Sequence, residues 1–285
     1  MMPVERWAIM PGTWVVPRRT FAFVPIVDEG VFVVGVRCAN QAISHDRKDR
    51  MTELLYTMDS YVREFEATVV QQVEGGVVLD RTAFYPGGGG QPCDVGTLSD
   101  GVTTWSVTAV KKVDGLPVHF ISGDLPSVGA SVRGALDWDR RYALMRTHTA
   151  MHILCGVVFR DYGAHVTGGN MDPLQGRMDF EFETMRHELV AAIEAAVNAE
   201  VAAAHPVRVR ILPREEAFQI PDLIRTKINL LPAGISEVRT VELVGLDLQA
   251  DGGTHVANTS EVGRIRITDY KSKGKINKRI YLELD

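Results

Sequence analysis

His148 and His152 stand four apart in the run His148-Thr149-Ala150-Met151-His152. On a helix that spacing puts both on one face, where two imidazoles can approach one metal ion. Farther along, Asp251-Gly252-Gly253-Thr254-His255 offers a carboxylate and a third imidazole at the same spacing. Together the two pairs supply nitrogen and oxygen ligands of the kinds zinc accepts, either all four or three with a water completing the set. A single histidine pair on a helix is more often hydrogen-bonded than metal-bound, and the second pair tips the balance toward metal. Gly252 and Gly253 permit a tight backbone beside Asp251, which a plain turn between two strands would also require.

Cys155 follows on the same helical face, but at 1.5 Å per residue it sits about 10 Å along the axis from His148. One tetrahedral ion cannot comfortably engage both, so Cys155 reads as a small core residue. His165 and His187 fall outside both pairs and read as ordinary satisfied histidines. A second feature is Phe84-Tyr85-Pro86-Gly87-Gly88-Gly89-Gly90-Gln91-Pro92, where four glycines remove every side chain between an aromatic pair and a glutamine. Such a loop lets a second backbone or a nucleotide come close, and it equally fits a turn that closes a barrel. No Lys-Ser or Lys-Thr follows it, so it is not a phosphate-binding loop of the Walker type.

These residues need elements to hold them. Residues 1–50 carry several prolines, show no sustained period and end in the polar run Ser44-His45-Asp46-Arg47-Lys48-Asp49-Arg50. They read as an irregular extension, with Met51 as a natural start; N-terminal sequencing that finds Met1 or Met2 would overturn that start. From Phe65 to about Trp138, short β-rich runs at 67–73, 76–79, 105–110, 118–121 and 131–136 alternate with Gly, Asp and Pro and predict a small barrel or curled sheet. From Arg140 the texture changes. Helices are predicted over 144–159 and 185–204, the second stopped by Pro206, with strands at 176–182, 207–212, 238–243, 264–268 and 276–284. The fold class is α+β: a small N-terminal β-barrel domain over 51–139 with the glycine-rich motif, then a mixed-sheet domain over 140–285 with helices packed on one face.

The chain has 285 residues, 45% hydrophobic and 24% charged, the composition of a soluble globular protein with room for two domains. No apolar run approaches the roughly 20 residues of a membrane span, and the apolar stretch 21–36 is broken by Pro25, Asp28, Glu29 and Gly30, so neither a span nor a secretion signal is read. Cys38, Cys93 and Cys155 form no paired framework, which suits a reducing, cytoplasmic compartment. A net charge of −5 excludes a general affinity for nucleic acid, so any RNA contact is local. Arg264, Arg266, Lys271, Lys273, Lys275, Lys278 and Arg279 form one basic segment, opposed within it only by Asp269. It fits an RNA contact or an edge strand guarded by lysines.

In order and in motif, the chain resembles the AlaX family, the freestanding relatives of the alanyl-tRNA synthetase editing domain. Residues 84–91 resemble its glycine-rich motif and Asp137-Trp138-Asp139-Arg140-Arg141 its domain junction. His148 and His152 resemble its first metal pair, and Leu248-Gln249-Ala250-Asp251-Gly252-Gly253-Thr254-His255-Val256 its second. The likeness covers roughly residues 51–285. Two departures stand out. The second pair usually begins with Cys where Asp251 stands, a hard carboxylate for a soft thiolate, which bears on metal affinity and choice. A residue with a side chain more often occupies the position of Gly87, which bears on the contact the first domain makes.

The resemblance implies a metal-dependent aminoacyl-tRNA deacylase that hydrolyses the ester joining serine or glycine to tRNA(Ala). One zinc ion would be held by His148, His152, Asp251 and His255, and would activate water or bind and orient the misattached amino acid. Thr167, in Val166-Thr167-Gly168-Gly169, is the candidate hydroxyl that tells serine from alanine. Gly88, Gly89, Gly90 and Gln91 would receive the substrate end of the tRNA, and Arg225, Lys227, Lys271, Lys273 and Lys275 would hold its phosphates. Two rivals compete with this reading. A metal hydrolase of a small ester or amide would turn over without salt sensitivity. A non-catalytic tRNA-binding module, decayed when Asp replaced Cys, would bind RNA without stoichiometric metal.

Overall fold

Along Glu64–Val73 every second side chain from Phe65 to Val69 turns inward, the two-residue period of a strand with one buried face. The computed structural model describes residues 52–225 and 234–285, all within the compact unit Arg47–Asp285. The irregular extension over 1–50, the expected natural start at Met51, Cys38 and Lys227 lie outside the described residues. After the short β1 (Glu53–Leu54) come β2 (Glu64–Val73), β3 (Gly76–Leu79), β4 (Arg81–Thr82), β5 (Gly96–Ser99), β6 (Thr104–Val113), β7 (Leu116–Ile121) and β8 (Ser131–Leu136). Six of them close into a barrel in the order β2-β3-β7-β6-β5-β8, while β4 pairs with β1. Phe65, Val69, Leu79, Phe84, Leu98, Val110 and Val132 fill the barrel.

Helix α1 (Trp138–Tyr162) follows at once. The Asp137 side chain accepts from Arg140 N at its start, and Gly163 ends it in the left-handed conformation. From Leu144 to Val158 nearly every side chain is buried, so the helix is enclosed around its girth and runs through the core of this half. Around it lie β9 (Val166–Asp172), β10 (Gln175–Glu181), α2 (His187–Ala202), β11 (Val207–Pro213), the single turn α3 (Arg214–Ala217), β12 (Glu237–Leu243), β13 (Asp247–Ala250), β14 (Ile265–Ser272) and β15 (Asn277–Leu284).

The class is α+β as expected, but the strands do not form one mixed sheet. They form two antiparallel sheets, ordered β14-β15-β10-β9 and β11-β12-β13. The cause is connectivity: short turns join β9 to β10, β12 to β13 and β14 to β15, and a short turn returns a strand antiparallel. A helix buried all round must be covered on several sides, and α1 packs on β9 and β10 of one sheet and also on β13 of the other. Helix α2 covers the outer edge of β14, where Glu194 accepts from Ile267 N at 2.7 Å and Asn198 pairs with Ile265 N at 3.0 Å and Ile265 O at 2.8 Å. No helix among the described residues is long and apolar enough to cross a membrane.

The junction between barrel and α1 turns on Arg141, whose side chain is fully buried. Its guanidinium binds the Asp94 carboxylate, with Nε 3.0 Å from each oxygen, and donates to the carbonyls of Ser60 at 2.9 Å and Ala83. A charge at this depth is tolerable only because both partners are hydrogen-bonded on every side.

Candidate metal centre

Three imidazoles converge where α1 meets the segment after β13. Ring centroids of His148 and His152 are 5.1 Å apart, those of His148 and His255 4.3 Å, and those of His152 and His255 4.7 Å. Asp251 closes the group, with Oδ1 3.6 Å from His148 Nε2 and Oδ2 3.0 Å from His255 Nε2. One ligand atom from each of the four lies within 4.8 Å of the others. Tetrahedral zinc with bonds near 2.0–2.1 Å spaces its ligands about 3.4 Å apart, so modest side-chain rotation completes the geometry. The group could hold a metal ion.

The outer nitrogens say which atoms are free to bind. Gln91 Oε1 accepts from Thr254 N at 3.1 Å, and Gln91 Nε2 donates to Thr254 Oγ1 at 2.8 Å, which fixes the amide orientation. His148 Nδ1, 3.0 Å from the same Oε1, must therefore donate, and its lone pair sits on Nε2 facing the group. His255 Nδ1 lies 3.2 Å from Thr149 Oγ1 and His152 Nδ1 lies 3.4 Å from Asp247 Oδ2. All three rings thus turn Nδ1 outward to a protein partner and Nε2 inward, the arrangement in which outer partners orient metal-binding imidazoles.

Electrostatics agree. Burial lowers the His148 pKa to about 4 despite the Asp251 carboxylate nearby, and burial with the His148 charge holds His255 well below its ordinary value. Both are neutral at physiological pH, the form that binds metal. Burial alone would lower His152 and raise Asp251. Asp247 and Asp251 instead lift His152, and the surrounding imidazoles, His255 by a hydrogen bond among them, hold the Asp251 carboxyl well below its ordinary value. Arg239 offsets that carboxylate: its Nη1 donates to Asp251 O at 2.9 Å and lies 3.7 Å from Oδ2.

Local sequence explains the close fit. A Cβ on Gly253 would stand 2.3 Å from His148 Cε1 and 2.6 Å from Gln91 Oε1, so this position admits no side chain while His148 is in place. The glycine-rich loop reaches across from the barrel side. Gly88 and Gly89 are exposed, Gly90 O accepts from Met171 N at 3.1 Å on β9, and the buried Gln91 delivers its amide to the centre.

Other expected site residues are placed differently. Thr167 is exposed on β9 and donates to Asn277 Oδ1 at 2.9 Å, outside the four-ligand group. Arg225 turns inward, its Nε 3.3 Å from Asp247 Oδ1 and its guanidinium 3.8 Å above the Phe159 ring. Part of the basic segment is neutralised, by acids that strand pairing brings from elsewhere and by Asp269 within it. Arg279 grips Asp179 at 2.6 and 2.7 Å, Arg266 pairs with Asp285 at 2.9 Å, and Lys271 pairs with Asp269 at 2.9 Å. Lys278 is buried, donating to the Gly274 and Lys275 carbonyls. Lys273 and Lys275 stand exposed and form no ion pair with another described residue. Cys155 is buried in the core, as its axial offset predicted. Asp247, Thr149 and Arg239 were not anticipated; only strand parity, which puts 247, 249 and 251 on one face, hinted at the first.

Comparison with known proteins agrees with this geometry. Residues 37–140 match the family described as tRNA synthetases class II (A), and residues 238–281 match the threonyl and alanyl tRNA synthetase second additional domain. The chain is 41% identical to alanyl-tRNA editing protein AlaX-M of Methanosarcina barkeri, over 82% of this chain and 99% of that protein. It is 44% identical to the AlaX-M of Saccharolobus solfataricus, over 81% and 98%. It is also 41% identical to alanine–tRNA ligase of Pyrobaculum aerophilum, over 76% of this chain and 25% of the ligase. The chain belongs to the AlaX family of alanyl-tRNA editing proteins, which are aminoacyl-tRNA deacylases.

Proposed function

We propose that this chain hydrolyses the ester of serine or glycine wrongly attached to tRNA(Ala), with one zinc ion held by His148, His152, Asp251 and His255. The observation that carries the reading is the convergence of three buried imidazoles and one carboxylate, each imidazole with its Nδ1 facing a protein oxygen, in a chain of the AlaX family. Bound zinc would supply water activation or an anchor for the aminoacyl group. The chain's own residues prepare the site for it. Gln91 holds the His148 ring in the binding tautomer, Thr149 Oγ1 stands 3.2 Å from His255 Nδ1, and burial keeps His148 unprotonated.

Thr167 is the proposed partner of a substrate serine. Its hydroxyl donates to Asn277, so toward a serine it acts as acceptor, and alanine offers nothing to accept. Its strand passes the glycine loop, since a Cβ on Gly90 would stand 2.9 Å from Gly169 O. Gly88 and Gly89, bare and exposed, leave room for the 3′ end of the tRNA, and Lys273 and Lys275 are free to meet its phosphates. The cytoplasm, where tRNA is charged, is the compartment this reading implies. The test is release of amino acid from tRNA(Ala) charged with serine, glycine or alanine. We expect serine and glycine release with alanine spared, lost on chelation and at least about 100-fold slower in His148→Ala. Equal release from all three, or no dependence on metal, would sink the proposal.

A further inference from the structure

We propose that Asp247 is a positioning residue for the metal centre, the carboxylate behind His152 that sets its tautomer and strengthens it as a ligand; this rests on the metal reading above. Asp247 opens β13 with its side chain wholly buried. Its Oδ2 lies 3.4 Å from His152 Nδ1, a nitrogen sealed from solvent with no closer partner. That separation is slightly long for a hydrogen bond, and a shift of a few tenths of an ångström, such as a bound ion would draw from the ring, closes it.

The backbone is cut away to allow this approach. Gly156 lies one turn beyond His152 on α1, and a Cβ there would stand 3.0 Å from Asp247 Cβ and 2.9 Å from Leu246 Cγ. Any other residue would push β13 off the helix and take the carboxylate from the ring. The three histidines also differ in what stands behind them. His148 has the neutral Gln91 amide, His255 the Thr149 hydroxyl, and only His152 an anion. A carboxylate behind an imidazole fixes Nδ1–H and leaves Nε2 more basic toward a cation. The other Asp247 contacts, Arg225 Nε at 3.3 Å and Gln249 Nε2 at 2.5 Å, offset the cost of burying this charge.

The competing account makes Asp247 merely the buried counter-ion of Arg225. Two substitutions separate the accounts. Asp247→Asn keeps the shape and removes the charge; Arg225→Met removes the cation and leaves the Asp247–His152 contact. Zinc affinity would be measured by competition with a chromogenic chelator, beside the melting temperature of zinc-free protein. We expect Asp247→Asn to bind zinc about 10–100-fold more weakly, Arg225→Met to bind like the wild type, and Asp247→Asn/Arg225→Met to regain folding stability but not zinc affinity. The double variant guards against Asp247→Asn failing to fold. Wild-type affinity in the double variant, or Arg225→Met as weak as Asp247→Asn, would overturn the inference while leaving the metal reading intact. A wild-type protein that takes up no zinc would overturn both.

Discussion

Four histidines are buried among the described residues, one inside the barrel and three at the candidate metal centre, and they differ in what the second nitrogen meets. In the barrel, His119 Nε2 lies 2.8 Å from Thr82 Oγ1 and Nδ1 lies 3.3 Å from Val77 O, while the ring packs edge-on against Phe84. Both nitrogens are used up within the barrel. At the centre His148 and His255 each set Nδ1 against an outer partner, His152 Nδ1 lies 3.4 Å from Asp247 Oδ2, and each ring turns its other nitrogen toward its neighbours. Burial of imidazole alone therefore marks nothing; a buried imidazole with one nitrogen left over marks a ligand.

The comparison can be broken or sharpened by experiment. The largest effect is expected at the junction, outside the centre. Arg141→Met leaves Asp94 buried and unpaired, and we expect a loss of about 3–5 kcal/mol in denaturant unfolding with one zinc still bound at low temperature. Loss of zinc in a folded Arg141→Met protein would show that barrel and centre are not separable. Gly253→Ala acts at the centre instead: its new methyl meets His148, and we expect about 1–3 kcal/mol of destabilisation with weakened zinc uptake seen by chelator competition.

The barrel histidine gives a pH signature. Burial lowers its folded pKa to about 4 from the ordinary 6.5, so protonation favours the unfolded chain. Its contribution is complete above pH 6.5 and shrinks as pH falls toward 4, by up to about 1.4 kcal/mol per pH unit. The difference in unfolding free energy between wild type and His119→Gln should narrow across that window, and a constant difference would argue against it. The smallest effect is expected at the hairpin tip. Lys273→Ala with Lys275→Ala should leave stability unchanged and lower the salt dependence of tRNA binding by up to about 2 in slope.

Much of this was legible in the chain because it is local. The inward alternation of Phe65, Ala67 and Val69 needed only a period of two, and the His148 and His152 pair needed only a helical turn. Contacts made by distant segments were not legible. The basic segment reads as an unopposed positive stripe until β10 and the chain end bring Asp179, Glu283 and Asp285 beside it. Arg225 reads as a surface cation until β13 supplies a buried carboxylate. Asp247 itself carries no signature beyond its parity, since a strand cannot announce which helix it will face. The two-sheet layout escaped for the same reason: strand runs reveal their period but not their neighbours.

The bond from Gln91 to Thr254 spans 163 residues, and His148 stands between its two ends. Bringing such distant ends together is costly in chain entropy, and no shorter loop yields the same cluster. During synthesis the polypeptide leaves the ribosome with its first two imidazoles long before the third, so no half-built fragment has the complete ligand set. On the proposed metal reading, capture of an ion would be a receipt for finished folding: a chain that took up metal with full affinity would have brought its early and late segments together.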